Sequence, residues 1–458
     1  MDVGLLIDVG STWTKGLAVD LGAGRLIART QHPTTLAAGI MTGVHAVVET
    51  LDGQHGGTVQ FRAASSSAAG GLRVAAIGLV PSLTGLAARQ ASLGAGARVV
   101  FSGNFQLAQQ EIDSLRAARP DIVLLAGGTD GGNREVIVRN AQLLADAGVQ
   151  ATVIVAGNKS AREEVCAILA RAGLDYRVAD NVLPAIDAMD VSGAQAAIRE
   201  VFLEKIVVAR GIEELREWAG GLLLPTPRAV LDAAVFLSGS GDDFRSLVLV
   251  DIGGATTDVH SIGGEEPAQG TLLRGLREPH AKRTVEGDLG LRVSALAATQ
   301  ALGADKLSAH LGGSSDELIA RAERLTADTA TLHAQEDFDR VVTIAAVAEA
   351  LRRHAGWLEQ SPIDHRTWFQ VGKDLRDASA VIASGGVFAA REDARALIDA
   401  ALEQARLSDR LVPRTARTWV DKDYVMFAVG LLSGAHRDAA LGLAMKSLGR
   451  AACCEPHS

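Results

Sequence analysis

The sequence predicts an α/β protein with two similar lobes and a smaller βαβ subdomain inserted between them. A repeated pattern predicts the lobes: an apolar run at 3–7 leads into Asp8–Gly10, and a second run at 247–250 leads into Asp251–Gly253. A change of pattern at Pro120, where strands and helices begin to alternate, predicts the insert. The chain has 458 residues, which is too long for a single hydrophobic core.

The first lobe is predicted to span residues 1–119. Residues 3–30 are typical of an antiparallel meander with a glycine-containing turn at 21–24. The other signals in this lobe are a helix around 43–51, strands at 59–65 and 71–80, and a helix at 82–91 that follows Pro81.

The insert is predicted to span residues 120–215. Its first strand, Asp121–Ala126, is continuously apolar after the aspartate and ends in the glycine-rich stretch 127–132. A helix at 134–147, a strand at 151–156 and a helix at 161–172 follow. Alternation of this length indicates βαβ units and therefore a parallel sheet.

The second lobe is predicted to span residues 216–448, and residues 449–458 are expected to form a short polar tail. A helix at 228–237 precedes the strand that carries Asp251. Helices dominate 290–358, and a late strand occupies 381–384.

Composition narrows the possible functions. The net charge is −9 and no long basic run occurs, which disfavours nucleic acid as a partner. No stretch of about 18 uncharged apolar residues occurs, so no membrane span is predicted. The cysteines, Cys166, Cys453 and Cys454, form neither a disulfide framework nor a metal-ligand pattern. Because no secretory signal is recognisable either, we expect a cytoplasmic protein.

The two Asp-x-Gly turns predict a site for a metal ion and a phosphate group. Mg²⁺ is usually held by one or two carboxylates and by water beside substrate phosphates. Asp8 and Asp251 are therefore the expected catalytic and metal-binding residues, provided that the two hairpins face each other. Glycines after each aspartate let the backbone turn sharply and point N–H groups at an anion. The alternative is two unrelated hairpins, because aspartate is common in turns.

Polar residues after each turn predict phosphate binding. Hydroxyl groups can donate to phosphate oxygens, and Lys15 can supply a positive charge. The expected ligand-binding residues are Gly10, Ser11, Thr12 and Lys15 in the first turn, and Gly253, Gly254, Thr256, Thr257 and Asp258 in the second.

A third motif follows the late strand at 381–384. Gly385 and Gly386 stand before a predicted helix, where a backbone without side chains can approach a flat ligand or its ribose. The alternative is that this glycine pair only begins the helix.

These three motifs, in this order, resemble the actin, hsp70 and sugar-kinase ATPase superfamily. Residues 8–15 resemble its first phosphate loop, 251–258 its second, and 384–387 its adenosine loop. Two interlobe helices, at 225–237 and 423–434, are also recognisable. The resemblance implies a two-lobed actin-like ATPase with duplicated ribonuclease-H-like lobes, and it implies ATP and Mg²⁺ as ligands.

A closer resemblance runs across nearly the whole chain. The segments 125–133, 155–159 and 284–290 are similar to the glutamate mutase accessory family often called MutL or GlmL, which is distinct from the mismatch-repair protein of that name. This resemblance implies an ATP-dependent reactivating factor for an adenosylcobalamin-dependent mutase, with glutamate mutase as the leading candidate.

The chain departs from the superfamily at one important position. Members similar to hsp70 begin the first interlobe helix with Glu-Pro, whereas this chain has Thr226-Pro227. Without that acid, Asp8 or Asp251 is left to orient the attacking water. We therefore predict slow hydrolysis, which suits a molecular switch better than a metabolic kinase.

Two further motifs have competing interpretations. Glu286 and Asp288 could contact ribose or metal, but we prefer the interpretation that Asp288 caps a helix and Glu286 is solvated. The turn at 127–132 has neither a G-x-G-x-x-G pattern nor a Walker lysine. Tight turns that need positive φ are its preferred explanation, and a face that contacts the partner enzyme is the alternative. The histidines form no close ligand pair, so no zinc site is predicted.

Three other functions remain open. A small-molecule kinase of the same fold would need a catalytic base, and no compelling one is found. An ATP-dependent dehydratase activator shares the Asp-x-Gly-Ser-Thr pattern of the first turn but needs well-placed cysteines for an iron–sulfur cluster. Cys166 lies in a predicted helix of the insert and the other two cysteines lie in the tail, so this function is disfavoured. A nucleotide-gated scaffold that does not hydrolyse ATP would be distinguished by single-turnover hydrolysis.

Overall fold

The computed structural model of the protein describes residues 1–35, 39–67, 72–206, 211–327, 336–363 and 365–449. The chain forms two compact units. The first unit combines Met1–Ala68, Arg210–Leu272 and His280–Ser458, and the second combines Ala69–Ala209 with Leu273–Pro279.

The strands are β1 (Asp2–Val9), β2 (Trp13–Asp20), β3 (Arg25–Pro33), β4 (Thr58–Ser66), β5 (Arg73–Gly78), β6 (Arg98–Asn104), β7 (Ile122–Leu125), β8 (Thr152–Val155), β9 (Tyr176–Val178), β10 (Leu223–Pro225), β11 (Leu247–Ile252), β12 (Thr257–Ile262), β13 (Thr271–Leu273), β14 (Ala281–Glu286), β15 (Trp357–Gln360), β16 (Trp368–Val371), β17 (Ala380–Ser384) and β18 (Arg417–Val420).

The α-helices are α1 (Ile40–His55), α2 (Thr84–Gly94), α3 (Gln109–Ala117), α4 (Glu135–Asp146), α5 (Arg162–Arg171), α6 (Ser192–Ile206), α7 (Ile212–Trp218), α8 (Thr226–Ser238), α9 (Ala295–Leu302), α10 (Ala304–Leu311), α11 (Ser315–Ala327), α12 (Glu336–His354), α13 (Gly386–Ala389), α14 (Ala394–Arg406), α15 (Met426–Leu432) and α16 (Arg437–Ser447).

The first unit contains two five-stranded sheets with the same topology. One has the order β10-β4-β1-β2-β3 and the other the order β14-β12-β11-β17-β18. In the first sheet β1 pairs antiparallel with β2 and parallel with β4, and β2 pairs antiparallel with β3. In the second sheet β11 pairs antiparallel with β12 and parallel with β17, and β12 pairs antiparallel with β14. The fifth strands, β10 and β18, pair in parallel with β4 and β17.

This correspondence confirms the predicted duplicated lobes. Strand β1 matches β11, β2 matches β12, β3 matches β14, β4 matches β17, and β10 matches β18. The apolar runs before Asp8 and Asp251 form the central strands, where burial on both faces requires uninterrupted apolar residues. A smaller sheet, β13-β16-β15, accompanies the second lobe.

The second unit is a doubly wound parallel sheet with the order β6-β5-β7-β8-β9. Each neighbouring pair is parallel, the connections carry the helices α2 to α5, and α6 follows β9. Helices α3, α4 and α5 contribute Leu115, Leu144 and Leu169 to a common core on one face. The predicted βαβ alternation is therefore present.

The boundaries of the second unit differ from those predicted for the insert at 120–215. Strand β5 is paired with β7, so β5, α2, β6 and α3 belong to this sheet rather than to the first lobe. The sequence interpretation did not identify β6 or α3. Strand β6 lies at the sheet edge and is only partly buried, and α3 buries Ile112 and Leu115 alone, so neither has a strong apolar pattern. The predicted tail lies outside the described residues apart from its first residue, Gly449.

The helices α8 and α15, close to the predicted interlobe positions, pack directly on each other. Every residue of α15 is buried, and both helices contribute to one hydrophobic core. A Cβ atom added to Gly430 on α15 would overlap the carbonyl oxygen of Ala229 on α8. Glycine at this position therefore lets the two helix backbones touch.

We expect Gly430→Ala to destabilise the first unit by roughly 3 kcal/mol, because α8 and α15 must separate to admit a methyl group. The midpoint of urea unfolding measures the effect. Gly434→Ala is the matched control, since a Cβ atom at Gly434 meets nothing within 4 Å. Equal midpoints for the two variants would contradict the proposed backbone contact.

Candidate functional site

The turns after Asp8 and Asp251 have the same geometry. The N–H of Gly10 donates to the carbonyl of Trp13 at 3.0 Å, and the N–H of Gly253 donates to the carbonyl of Thr256 at 2.8 Å. Each turn thus closes three residues after its glycine and leads directly into the next strand. The sequence repeat therefore reflects a repeated backbone structure.

The two turns face each other within the first unit. A Cβ atom placed on Gly254 would lie 3.7 Å from Cγ2 of Thr12 and 3.4 Å from Cβ of Arg292. Gly10, Ser11, Thr12, Gly254 and Thr256 are all partly exposed there, while Gly253 is exposed. The condition attached to the predicted metal and phosphate site, that the hairpins face each other, is therefore met.

Asp8 is buried and held by two hydroxyl groups. Its Oδ1 atom accepts a hydrogen bond from Oγ of Ser65 at 2.8 Å and another from Oγ1 of Thr226 at 2.6 Å. Ser65 lies beside Asp8 in the parallel pairing of β1 with β4, and Thr226 begins α8 directly after β10. The residue that replaces the expected acid therefore fixes the orientation of Asp8.

Asp251 is held quite differently. Within the described part of the chain its carboxylate has no hydrogen-bond partner, and the residue is partly exposed. Burial, followed by the charge of Asp258, raises the pKa of Asp251 to about 7, although Lys15 acts in the opposite direction. Asp8 and Asp421 add smaller effects that also raise this pKa. The charge of Asp251 is therefore unfavourable unless a cation approaches it.

Asp258 and the neighbouring threonines bond mainly to the protein itself. Nε of Arg283 donates to Asp258 at 2.7 Å, and Oγ1 of Thr256 donates to it at 3.0 Å. The side chain of Thr257 is buried and donates to the carbonyl of Leu289 at 2.6 Å. The predicted ligand roles of Thr256, Thr257 and Asp258 stay predictions, and their side chains support the turn in the structure.

Lys15 lies over an aromatic ring among the carboxylates. Its Nζ atom is 3.4 Å from the centroid of the Tyr424 ring. Burial lowers the pKa of Lys15, and the charges of Asp8, Asp251 and Asp421 oppose that effect. The ammonium group therefore lies close enough to these three carboxylates for their charges to interact with it.

Asp421 and Tyr424 were missed from the sequence. Asp421 follows β18 as Thr226 follows β10, so the two residues occupy matching positions in the duplicated lobes. Asp421 is fully buried, and burial raises its pKa against the opposing effect of its hydrogen bonds. Its carboxylate accepts hydrogen bonds from the N–H groups of Val425 and Met426 and from the hydroxyls of Ser384 and Ser447. The sequence did contain a signal for Asp421, because it is an acidic residue between the last strand and the second interlobe helix.

The predicted adenosine motif lies at the end of β17, beside β11. Gly385 has φ +119°, and a Cβ atom there would overlap the carbonyl oxygen of Ile252, so glycine is required. A Cβ atom on Gly386 would meet nothing within 4 Å, and this residue is exposed. Gly386 therefore presents open backbone next to the strand that carries Asp251.

The donors at this site suit a hydrated cation. Among the described residues, no group of three or more His, Cys, Asp or Glu side chains could hold a metal ion by itself. Asp8 and Asp251 are nevertheless close enough for their charges to interact. Two carboxylates with water and phosphate completing the coordination is the usual arrangement for Mg²⁺.

Glu286 and Asp288 differ from the preferred interpretation. Nη1 of Arg353 on α12 contacts Oε2 of Glu286 and Oδ1 of Asp288, each at 2.8 Å. Burial raises the pKa of Glu286, which is therefore not a fully solvated side chain. Both acids are committed to an ion pair rather than to capping.

The glycine-rich turn of the second unit fits the tight-turn interpretation. Gly128 and Gly131 have φ values of +72° and +76°. Asp130 accepts hydrogen bonds from the N–H of Lys159 at 3.0 Å and from Nδ2 of Asn181 at 2.9 Å, so it braces the neighbouring loops.

Other predictions concern cysteines and membranes. Cys166 is a free thiol on α5, and Cys453 and Cys454 lie outside the described residues. None of the described helices is both long and apolar enough to cross a membrane.

Solved structures with detectable similarity are remote. A nucleotide-free acetone carboxylase is 13% identical, with 94% of this chain and 70% of that chain covered and a TM-score of 0.37. The activator of 2-hydroxyisocaproyl-CoA dehydratase from Clostridium difficile with bound ADPNP is 10% identical, with 98% and 100% covered and a TM-score of 0.30. Xylulose kinase from Lactobacillus acidophilus is 11% identical, with 98% and 90% covered and a TM-score of 0.33. Scores of this size carry no argument, so the duplicated lobes rest on the strand pairings.

Sequence relatives are much closer. A family model described as MutL protein matches residues 4–448. Protein MutL from Clostridium tetanomorphum is 41% identical over 461 residues, with 98% of this chain and 99% of that protein covered. The chain therefore belongs to the MutL protein family.

Proposed function

We propose that this protein is a slow, Mg²⁺-dependent ATPase that reactivates an adenosylcobalamin-dependent mutase, with glutamate mutase as the leading candidate. The observation that carries this proposal is the meeting of two matched Asp-Gly turns at Thr12 and Gly254. Family membership supports the accessory role, because the resemblance to MutL implies such a partner. The cysteine content supports action in the cytoplasm.

ATP is proposed to bind with its phosphates between the two turns. The backbone N–H groups after Gly10 and Gly253 would donate to phosphate oxygens, and Lys15 would add a positive charge. The open backbone at Gly386 is the proposed contact for adenosine. Fixed donors of this kind act by positioning and by charge neutralisation, which is most of what phosphoryl transfer requires.

The carboxylates are proposed to hold Mg²⁺ through water. A magnesium ion held there by Asp8 and Asp251 would supply positive charge that offsets the charge of the phosphates. Asp8 is suited to a fixed role because Ser65 and Thr226 orient it. The raised pKa of Asp251, caused by burial and by neighbouring acids, supports a cation close to its carboxylate.

Asp251 is also the residue proposed to orient the attacking water and accept its proton. Its carboxylate is free of hydrogen bonds within the described chain, so it can turn toward a water molecule. Thr226 occupies the position of the usual acid and donates its hydroxyl to Asp8. Because Asp251 would both hold the cation and orient the attacking water, we expect ATP turnover to be slow.

We expect a mutase inactivated with damaged cobalamin to regain activity when this protein, Mg²⁺, ATP and fresh coenzyme are added. Recovered mutase turnover is the measurement. Asp251→Asn should support less than about one-hundredth of the recovery rate, since loss of a catalytic carboxylate typically costs this much. Asp409→Asn, at an aspartate of the first unit whose side chain is 85% exposed, is the matched control and should retain it.

Two outcomes would decide against the proposal. If no cobalamin-dependent mutase encoded nearby is reactivated, the accessory function is wrong. If a non-hydrolysable ATP analogue supports repeated reactivation as well as ATP does, the non-hydrolysing scaffold is the correct alternative.

The raised pKa of Asp251 also predicts a pH-dependent stability in the absence of metal. The folded protein keeps this proton up to about pH 7, whereas the unfolded chain loses it near pH 3.8. The stability contributed by the group is therefore complete below pH 3.8 and is lost as the pH rises to about 7. In EDTA at pH 8, Asp251→Asn should be more stable than the parent by about 2 kcal/mol, after allowance for solvent screening.

Thermal unfolding at pH 8 and pH 5 in EDTA measures this difference, which should be smaller at pH 5. Asp20→Asn is the control, and it should change the stability in the opposite direction, because the N–H groups of Ala23 and Gly22 lower the pKa of Asp20. That variant should be less stable than the parent at pH 8. A destabilised Asp251→Asn at pH 8 would show that the carboxylate is satisfied in the fold.

A further inference from the structure

We infer that Tyr424 is a positioning residue for Lys15, an inference that rests on the proposed ATPase function. The ring face of Tyr424 lies 3.4 Å from Nζ of Lys15. Tyr424 comes from the second lobe, between β18 and α15, whereas Lys15 lies on β2 of the first lobe. The contact therefore joins the ammonium group of a first-lobe lysine to an aromatic ring of the second lobe.

The ring of Tyr424 gives the Lys15 ammonium group a contact that is not a carboxylate. Asp8, Asp251 and Asp421 all attract the Lys15 ammonium group. Even so, among the described residues no carboxylate oxygen lies within ion-pair distance of Nζ. A desolvated cation is attracted to the face of an aromatic ring, and this attraction competes with a flexible ion pair. The ring thus keeps the ammonium group available to a phosphate.

The position of Tyr424 is itself fixed by its surroundings. Its backbone has φ +55°, which is uncommon for a residue with a large side chain. Asp421 accepts hydrogen bonds from the N–H groups of Val425 and Met426, on the C-terminal side of Tyr424. The ring of Phe427 lies 5.9 Å away, centroid to centroid. A backbone in an unfavourable region persists only when its neighbours determine it.

Substitutions at Tyr424 test the inference through the ATPase reaction. Tyr424→Leu removes the aromatic face. It should raise the KM for ATP about tenfold, which corresponds to about 1.4 kcal/mol, while kcat changes less than about threefold. Tyr424→Phe keeps the face and should behave like the parent. A parental KM in the leucine variant would overturn the inference.

A second readout does not depend on ATP. Lysines labelled by reductive ¹³C-methylation should show one upfield-shifted NMR signal, from Lys15 above the ring, which is assigned by its loss in Lys15→Arg. This signal should persist in Tyr424→Phe and disappear in Tyr424→Leu. An absent signal in the parent, or one that persists in the leucine variant, overturns the pairing even if ATP binding is sound. The shifted signal without any ATP turnover would instead count against the proposed function.

A separate observation leads to a second inference: we propose that the segment Leu273–Pro279, here called the strap, transmits the state of the second turn to the second unit. The chain leaves the first unit after Leu272, contributes the strap to the second unit and returns at His280. This proposal also rests on nucleotide binding at the two turns.

The strap leads into β14, which forms an antiparallel ribbon with β12, and the other end of this ribbon lies at the second turn. Strands β12 and β14 pair from Thr257 opposite Glu286 to Ile262 opposite Ala281. The N–H groups of Leu291 and Arg292, just after β14, donate to the carbonyls of Gly253 and Gly254 at 3.1 and 2.8 Å. Both strands of the ribbon are therefore tied to the same loop.

The strap is anchored within the second unit by buried side chains. Leu276 and Glu278 of the strap are 6% and 8% exposed. Nε2 of Gln90 on α2 donates to Oε2 of Glu278 at 2.8 Å, and a Cβ atom on Gly275 would lie 3.8 Å from the carbonyl oxygen of Ser82. Burying a carboxylate is costly unless it is paired. The anchor therefore fixes the strap at one place on the second unit.

Lengthening the strap tests the proposal without removing its anchors. Gly-Ser-Gly inserted between Arg274 and Gly275, which are both exposed, makes the strap longer and more flexible. Hydrogen exchange of α2 is measured with and without Mg²⁺ and a non-hydrolysable ATP analogue. The parent should show a nucleotide-dependent change of at least about threefold in exchange rate, equivalent to a small shift in opening free energy, and the insertion should abolish it.

The same insertion between Gly220 and Gly221, an exposed turn outside the ribbon, is the control and should keep the response. A full response in the strap variant would overturn the proposal, as would a parent that binds the analogue without any change in α2. If the parent does not bind the analogue, the proposed ATPase function fails and this proposal fails with it.

Discussion

The acidic residues Asp8, Asp251 and Asp421 surround Lys15, and much of the first unit serves to keep these charges close together. Hydroxyl groups of Ser65 and Thr226 hold Asp8, and a set of backbone and hydroxyl donors holds Asp421. Burial, and after it the charges of Asp258, Asp8 and Asp421, raise the pKa of Asp251, so keeping its carboxylate ionised at this place is costly. Under the proposed function this crowding is retained, at a cost in stability, because a cation and a phosphate bind there together.

The duplicated lobes place different side chains at matching positions. Thr226 and Asp421 both follow the fifth strand of their sheets, and Lys15 and Asp258 both lie opposite the aspartate of the central strand. In the first lobe Ser65, which lies opposite the central aspartate on the parallel strand β4, bonds to that aspartate. In the second lobe the matching serine, Ser384, bonds to Asp421 instead, which leaves Asp251 free. The repeated backbone therefore supports two unequal carboxylates.

Much of this arrangement could be predicted from the sequence, because its signals are local. An apolar run, an aspartate and a glycine within ten residues define each turn, and both turns lie where the pattern placed them. Asp421 and Tyr424 depend on contacts with Ser447 and Lys15, which are distant in sequence, so no local pattern revealed them. The start of the second unit was misplaced for a similar reason: an edge strand such as β6 lacks the continuous apolar run of a central strand. The roles assigned to the hydroxyls of Thr256 and Thr257 rested on residue type, and residue type does not show which partner a hydroxyl prefers.

The contact between α8 and α15 has a mechanical consequence. Where interlocking side chains separate two helices, any relative movement must lift ridges out of grooves. At Gly430 and Ala229 the helices meet backbone to backbone, so no side chain is interlocked at that point. Such a contact resists separation but allows small sliding displacements, as in the shear motions of packed helices. At Gly430 the two interlobe helices are thus joined by backbone alone, and a sliding displacement would meet no interlocked side chain at that point.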